Sequence, residues 1–217
     1  VSELNIVCRL YQKLLKTYGK QGWWPVIRGS SIQYHPGDYS IPNSEEERFQ
    51  IAIGAILTQN TNWKNAEKAL LNLYTARLLA PEKLAKASEY EIAALIRPSG
   101  YYNQKTRKIK EFVMHYGCLD EKEKIDSLRE FLLSIRGLGP ETADSIILYA
   151  FKKPIFVIDA YTRRFCAAHN LKTSGDYDDY REFFEKSLRK DHRIFNEYHA
   201  LIVRWGKESK STNHNFS

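Results

Sequence analysis

An all-α fold is what this sequence predicts, on three observations. From Glu46 onward the apolar positions recur at helical spacing rather than alternating. Glycines and prolines fall between those stretches rather than inside them. A chain of 217 residues, 43% hydrophobic and 27% charged, has the composition of an ordinary globular protein of one domain or two small lobes, which sets aside disordered, collagenous and low-complexity classes. No internal repeat is present.

The stretch 19–44, rich in Gly, Pro and Ser and holding Trp23, Trp24 and Tyr34, reads as a long ordered loop. Residues 48–58 are apolar on nearly every side, as suits a helix at the centre of a bundle. Surface helices are expected around it over 64–79, over 82–96 after Pro81, and over 104–116, with Pro81 as a start signal and Pro98-Ser99-Gly100 as a stop. Leu128, Phe131, Leu132 and Ile135 then form one stripe, and Ala143, Ile146, Ile147, Ala150 and Phe151 form another. Between them lies Arg136-Gly137-Leu138-Gly139-Pro140, so this is helix, tight glycine hairpin, helix. After Pro154 an apolar run, 155–158, ends in Asp159, and a helical pattern follows to about His169. Two further helices, 177–190 and 194–207, close the pattern, and the polar tail 209–217 is expected to be disordered.

Lys and Arg outnumber Asp and Glu by 33 to 26, a formal charge of +7, and the pI is near 9.2. That balance favours a polyanionic partner, with nucleic acid the leading candidate. No window approaches the roughly 18 to 20 apolar residues of a membrane span, and no basic-then-apolar signal pattern opens the chain, so a soluble, intracellular protein is expected. Cys8, Cys118 and Cys166 are odd in number and far apart. They support neither a disulfide framework nor a CxxC knuckle, and the six histidines show no HxH or HExxH pattern, so no metal site is expected.

The hairpin and the aspartate each have two readings. Gly137 and Gly139 leave backbone N–H groups open to a phosphate at the start of a helix, yet glycines also occur in such turns for plain backbone reasons. Pro140 removes one donor and Glu141 adds a negative charge there. Asp159 directly before a helical pattern is an ordinary N-cap. The combination weighs more than its parts: hairpin, second helix, apolar run, and an Asp twenty positions after Gly139.

In IRGLGPETADSIILYAF followed by PIFVIDAYTRRF the sequence resembles the helix-hairpin-helix DNA glycosylase superfamily, and within it the endonuclease III-like members. The resemblance runs from about Arg48 to Lys207. AILTQNTNWKNAEKAL is similar to the family segment that carries a Gln into the gap left by a flipped base, which Gln59 matches. SGYYNQKTRKIKEF is similar to the wedge segment, with Tyr101 at the intercalating position. The resemblance implies a two-lobed all-α fold with the active site in the cleft between lobes: 46–153 as a central bundle with the hairpin, 1–45 plus 154–217 as the second lobe. It makes Asp159 the catalytic carboxylate. It also implies double-stranded DNA with a damaged base as partner, a monomer, and a cytoplasmic or nucleoid location.

Two departures refine this. Bifunctional members carry a Lys two positions after the hairpin's last Gly, where this chain has Glu141, and a carboxylate cannot form a Schiff base, so no β-lyase activity is expected. The iron–sulfur cluster of many relatives needs four closely spaced cysteines, and none follows Cys166, so no cofactor is expected beyond a monovalent cation that the hairpin backbone would accommodate. Glu141, the missing cluster and GWWP together most resemble the 3-methyladenine DNA glycosylase branch. The resemblance there implies a base pocket walled by Trp23, Trp24 and Pro25, with Phe49 opposite and Glu141 nearby. An electron-rich indole suits a cationic alkylated purine. Core packing is the competing assignment for both tryptophans and Phe49. Leu201 stands where some members have a pocket Lys. Gly137, Gly139, Lys105, Arg163 and Arg164 are expected to hold DNA, with Arg107, Lys108, Lys152 and Lys153 as further phosphate contacts. The rivals are an endonuclease III-like glycosylase for mispaired thymine or uracil or for an oxidised base, and a non-catalytic helix-hairpin-helix DNA-binding protein.

Overall fold

Ser44 sits in extended backbone and its hydroxyl accepts the N–H of Glu47, opening helix α2 (Glu45–Leu57), whose first turn holds three glutamates where the helix dipole favours negative charge. In the computed structural model the backbone is described for residues 3–171 and 175–213, and side chains for 6–171 and 175–209. The chain divides into two units, one of Trp24–Tyr34 and Ser40–Phe151, the other of Val1–Trp23, His35–Tyr39 and Lys152–Ser217.

The first, central unit is organised by α2. Phe49, Ile51, Ala52, Ile53, Ala55, Ile56 and Leu57 are all buried, so the helix has no polar face beyond its first turn, as its sequence predicts. Around it lie α3 (Trp63–Thr75), capped by the Asn62 side chain, and α6 (Tyr102–Tyr116), which present Leu70, Leu73, Ile109 and Phe112 inward. The single helix expected over 82–96 is two. Helix α4 (Pro81–Lys86) stops at Ala87, and Ser88 caps a new start, α5 (Glu89–Ile96), by accepting the Glu91 N–H. A 3₁₀ turn over Arg97–Ser99 ends it at the Pro-Ser-Gly signal.

The stretch expected as loop holds a small antiparallel hairpin, β1 (Val26–Arg28) and β2 (Ser31–Gln33), which turns at Gly29 with φ +67°. Glu47 and Gln50 of α2 hold it in place. The Gln50 carboxamide oxygen accepts the buried Ile27 N–H at 2.8 Å, and Glu47 pairs with Arg28 at 2.7 Å. These bonds are why 24–34, grouped with the chain ends on sequence, lies instead in the central unit. The hairpin of interest follows: α7 (Ile125–Ser134), a turn, and α8 (Pro140–Ser145), which continues as a π-helical turn over Ile146–Ala150.

The second unit is built from both chain ends. Helix α1 (Glu3–Tyr18), which the sequence reading did not identify, buries Val7 and Leu14 and packs on α10 (Tyr177–Ser187) and α11 (His192–Asn213). Phe156 and Phe184 stack at 4.3 Å, with Phe195 and Tyr198 edge-on to Phe156. The apolar run 155–158 is buried without being a strand, and two of its N–H groups go to side chains rather than to a neighbouring strand: Phe156 donates to Glu185 and Ile158 to the Tyr177 hydroxyl. It leads into α9 (Ala160–Ala168). The tail expected to be disordered is helical through Asn213, and 214–217 lie outside the described residues.

Candidate active site

In the central unit the hairpin is tightly specified. Gly137 has φ +96°, and a Cβ there would fall 2.6 Å from Cγ of Lys108, so glycine is required for conformation and for space. Gly139 has ordinary φ and faces open space, with nothing within 4 Å of its would-be Cβ. Pro140 takes the first helical position, where no N–H is needed, and Glu141 is exposed in the same turn.

Gln59, one residue past the C-cap of α2, is tied to this hairpin. Its amide nitrogen donates to Thr142 Oγ1 at 2.8 Å and to the Gly137 carbonyl at 3.3 Å, while its oxygen accepts Lys108 Nζ at 2.6 Å. Tyr101 stands differently: it is left-handed, with φ 47°, and 64% exposed, an aromatic ring held out at the start of α6. Between the two lies Lys105, expected to hold a phosphate. That expectation is corrected. Lys105 is 2% exposed and its ammonium donates to the carbonyls of Leu57 at 2.8 Å and Ser99 at 2.7 Å. Burial, with the charge of Lys108, brings its pKa down to about 8.

The expected aromatic walls separate. Trp24 is buried with its ring edge-on to Trp63 and Tyr149 at 5.5 and 5.3 Å, and Gly54 of α2 gives it room. Phe49 is buried against Tyr116 at 4.8 Å, and Pro25 is buried beside Trp24. These three take the core assignment; the pocket reading of Trp24 and Phe49 gives way to it because both rings are buried against aromatic neighbours of their own unit.

In the second unit Asp159 caps α9. Its Oδ1 accepts both the backbone N–H and the hydroxyl of Thr162, at 2.7 and 2.9 Å. Its Oδ2 lies 3.7 Å from His199 Nε2, an ion-pair distance when that ring is protonated. Burial alone would raise the carboxyl, but His199 and the two Thr162 bonds outweigh it and hold Asp159 below the usual carboxylate range. Cap and carboxylate are thus one residue, with one oxygen given to each. Trp23 is half-buried, with Lys207 Nζ 5.8 Å from its ring centroid. Burial, and then Arg204, push the Lys207 ammonium down while Asp159 pulls it up. Arg163 and Arg164 lie over rings of their own unit, Tyr180 at 4.6 Å and Tyr161 at 4.5 Å.

Lys108, Thr142, His199 and Lys207 enter this description without having been singled out for these contacts. A signal existed for His199 alone: it is a polar residue within the buried stripe of Phe195, Tyr198 and Ile202 on α11. The three cysteines are separate and free, and burial pushes the Cys166 thiol up to about 12.

The chain matches the model of the HhH-GPD superfamily of base excision DNA repair proteins over residues 53–190. It is 41% identical over 216 residues to a Methanocaldococcus jannaschii protein designated a DNA repair glycosylase, covering 95% of this chain and 90% of that one. It is 33% identical to endonuclease III of Sulfolobus acidocaldarius over 167 residues, 75% of this chain and 74% of the relative. Among solved structures, the Helicobacter pylori 3-methyladenine DNA glycosylase MagIII bound to 1,N6-ethenoadenine aligns with a TM-score of 0.73 and 26% identity, covering 96% of this chain and 99% of that one. A trapped endonuclease III–DNA covalent intermediate shares the fold, with a TM-score of 0.71 at 16% identity over 94% and 85% of the two chains.

Proposed function

This chain belongs to the HhH-GPD superfamily of base excision DNA repair proteins and is a DNA glycosylase, and from that premise we propose that it is monofunctional and releases an alkylated purine such as 3-methyladenine. A base inside a duplex is out of reach, so the damaged nucleotide is rotated out, at a cost of about a few kcal/mol that is lowest for damaged or mispaired bases. Gln59 and Tyr101 fill the gap it leaves. An N3-alkylated purine is cationic. When its bond to C1′ breaks, the electron pair leaves with the base, which departs neutral, and the sugar takes on oxocarbenium character. The ionised Oδ2 of Asp159 stabilises that cation, and the attacking water adds to C1′ as its proton passes to the carboxylate. Products are the free base and an abasic site.

The observation that carries the substrate is Trp23. Its indole is only partly buried, and a cation, Lys207, already lies over its ring. The likeness to the H. pylori 3-methyladenine glycosylase supports the same substrate. Glu141 supports the absence of a Schiff-base step, because no amine stands at that position. The test is incubation with a methylated duplex and chromatography of what is released. Free 3-methyladenine with an intact strand is expected; no released purine would overturn the reading. The likeness to endonuclease III of S. acidocaldarius supports a second reading, a glycosylase for mispaired thymine or uracil or for an oxidised base. Release of one of those bases from a matching duplex, with no methylated purine, would select it.

A further inference from the structure

Lys105 is a charged side chain that an interior position does not require. A Leu or Met would fill the same volume in the first turns of α6 without the cost of desolvating an ammonium. What the ammonium does is visible in its two acceptors. Leu57 is the last residue of α2 and Ser99 the last of the 3₁₀ turn, so each offers a carbonyl that its own helix leaves without a partner. Both carbonyls also lie at the negative end of their helix, which favours a cation.

The two acceptors have one further property in common. Leu57 stands two positions before Gln59, and Ser99 stands two positions before Tyr101. One ammonium therefore grips the chain at the same remove from both residues assigned to the gap. Lys105 holds Tyr101 a second time, since its backbone N–H donates to the Tyr101 carbonyl at 3.0 Å. Both segments reverse direction just beyond the grip, through backbone with positive φ: Asn60 at 52° on one side, Gly100 at 67° and Tyr101 at 47° on the other. Such turns hold their geometry only where the surroundings over-determine it. Gln59 has the hairpin and Lys108 as further anchors, whereas Tyr101, the N-cap residue of α6, makes no capping bond with its own side chain.

We propose that Lys105 is a positioning residue that sets the distance between Gln59 and Tyr101, so that both enter the duplex together. The proposal rests on the reading that these two side chains fill the gap left by the flipped base. Lys105 touches neither DNA nor the reacting atoms; it acts through the two residues whose backbone it fastens. A misplacement of about 1 Å between groups that must act together can cost on the order of a hundredfold in rate.

The test uses the full chain and a duplex with a stable abasic analogue and 2-aminopurine opposite it, whose fluorescence rises when inserted side chains unstack it. Lys105→Met keeps the stem and removes the ammonium, and Lys105→Gln, a neutral donor too short to reach both carbonyls, makes the same comparison should the first fail to fold. Expected is a loss of at least about half of the fluorescence change, with a roughly tenfold or greater slowing of single-turnover base release and unchanged affinity for undamaged duplex. In a Gln59→Ala, Tyr101→Ala background the same Lys105 substitution should add less than about a twofold further loss, because residues that act as a unit are not additive. A parental fluorescence signal in Lys105→Met, or a full tenfold loss added on the double-alanine background, would overturn the proposal. If the double-alanine protein alone keeps the parental signal, the gap-filling reading itself has failed, and that arm carries no Lys105 change.

Discussion

Asp159 divides its two oxygens between structure and charge, and substitutions can separate the two. Asn keeps an oxygen for Thr162 and is as good a cap as Asp, so Asp159→Asn should fold normally while base release falls by roughly two or more orders of magnitude. Asp159→Ala removes the cap as well and should cost about 1 kcal/mol more in stability. Circular dichroism and single-turnover kinetics check both; near-parental release by the Asn variant would leave Asp159 as a cap alone. The carboxyl lies below its unfolded value of 3.8, so its stabilisation is complete above that pH and is lost as pH falls through the lower folded pKa. Acid titration of the Asn variant should accordingly lack that part of the unfolding. The neighbouring tryptophans separate as sharply. Trp24→Ala should cost about 3 to 5 kcal/mol of stability and lower every activity together. Trp23→Ala should melt near the parent yet release 3-methyladenine roughly ten- to a hundredfold more slowly, as loss of one base–aromatic stack implies. Melting temperature and base release, measured on both, decide the matter.

The hairpin joining α7 and α8 holds two glycines that the same substitution should affect in opposite ways. Gly137→Ala forces a Cβ into left-handed backbone and against Lys108, the residue that also holds Gln59, so it should depress the melting temperature and disturb Gln59. Gly139→Ala meets nothing in the folded protein and should stay within about 0.5 kcal/mol of the parent. If the hairpin backbone holds a phosphate, as the resemblance implies, the effect of Gly139→Ala should appear instead as weaker DNA binding. Equal stability losses in the two variants would contradict this difference. Most of these helices are legible because their signals are local, an apolar stripe at helical spacing with Pro81 as a start and Pro98-Ser99-Gly100 as a stop, whereas the Ser88 cap that divides 82–96 went unread inside one continuous stripe. The β1–β2 hairpin was not legible, since three-residue strands carry too little pattern and are held by Gln50 and Glu47 from another element.

For the molecule as a whole, the prediction with the widest reach is that one reaction occurs and a second does not. With Glu141 two positions past Gly139, borohydride should trap no covalent complex with damaged duplex, and the strand should break only after alkali or an added abasic endonuclease. A trapped adduct mapped to a lysine would overturn that. The charge of +7 makes binding to undamaged duplex weaken as salt rises, whereas the Trp23 contribution should persist, and titrations at two ionic strengths separate them.

Local order is what the sequence determined by itself. Helical periodicity, the start and stop signals and the glycine hairpin were readable because each depends on residues within a few positions of one another, while the Gln and wedge assignments came from the family resemblance. Tertiary structure alone decided which side chains remain available for chemistry. Trp23 and Trp24 are adjacent and identical in type, yet one is only partly buried and the other packs under α2 because Gly54 leaves room for it. Lys105 and Lys108 read alike as basic residues of one helix, yet one is sealed against two helix-end carbonyls and the other bonds Gln59. Burial and hydrogen-bond partners depend on chain segments tens of positions away, and no local pattern encodes which of them will arrive.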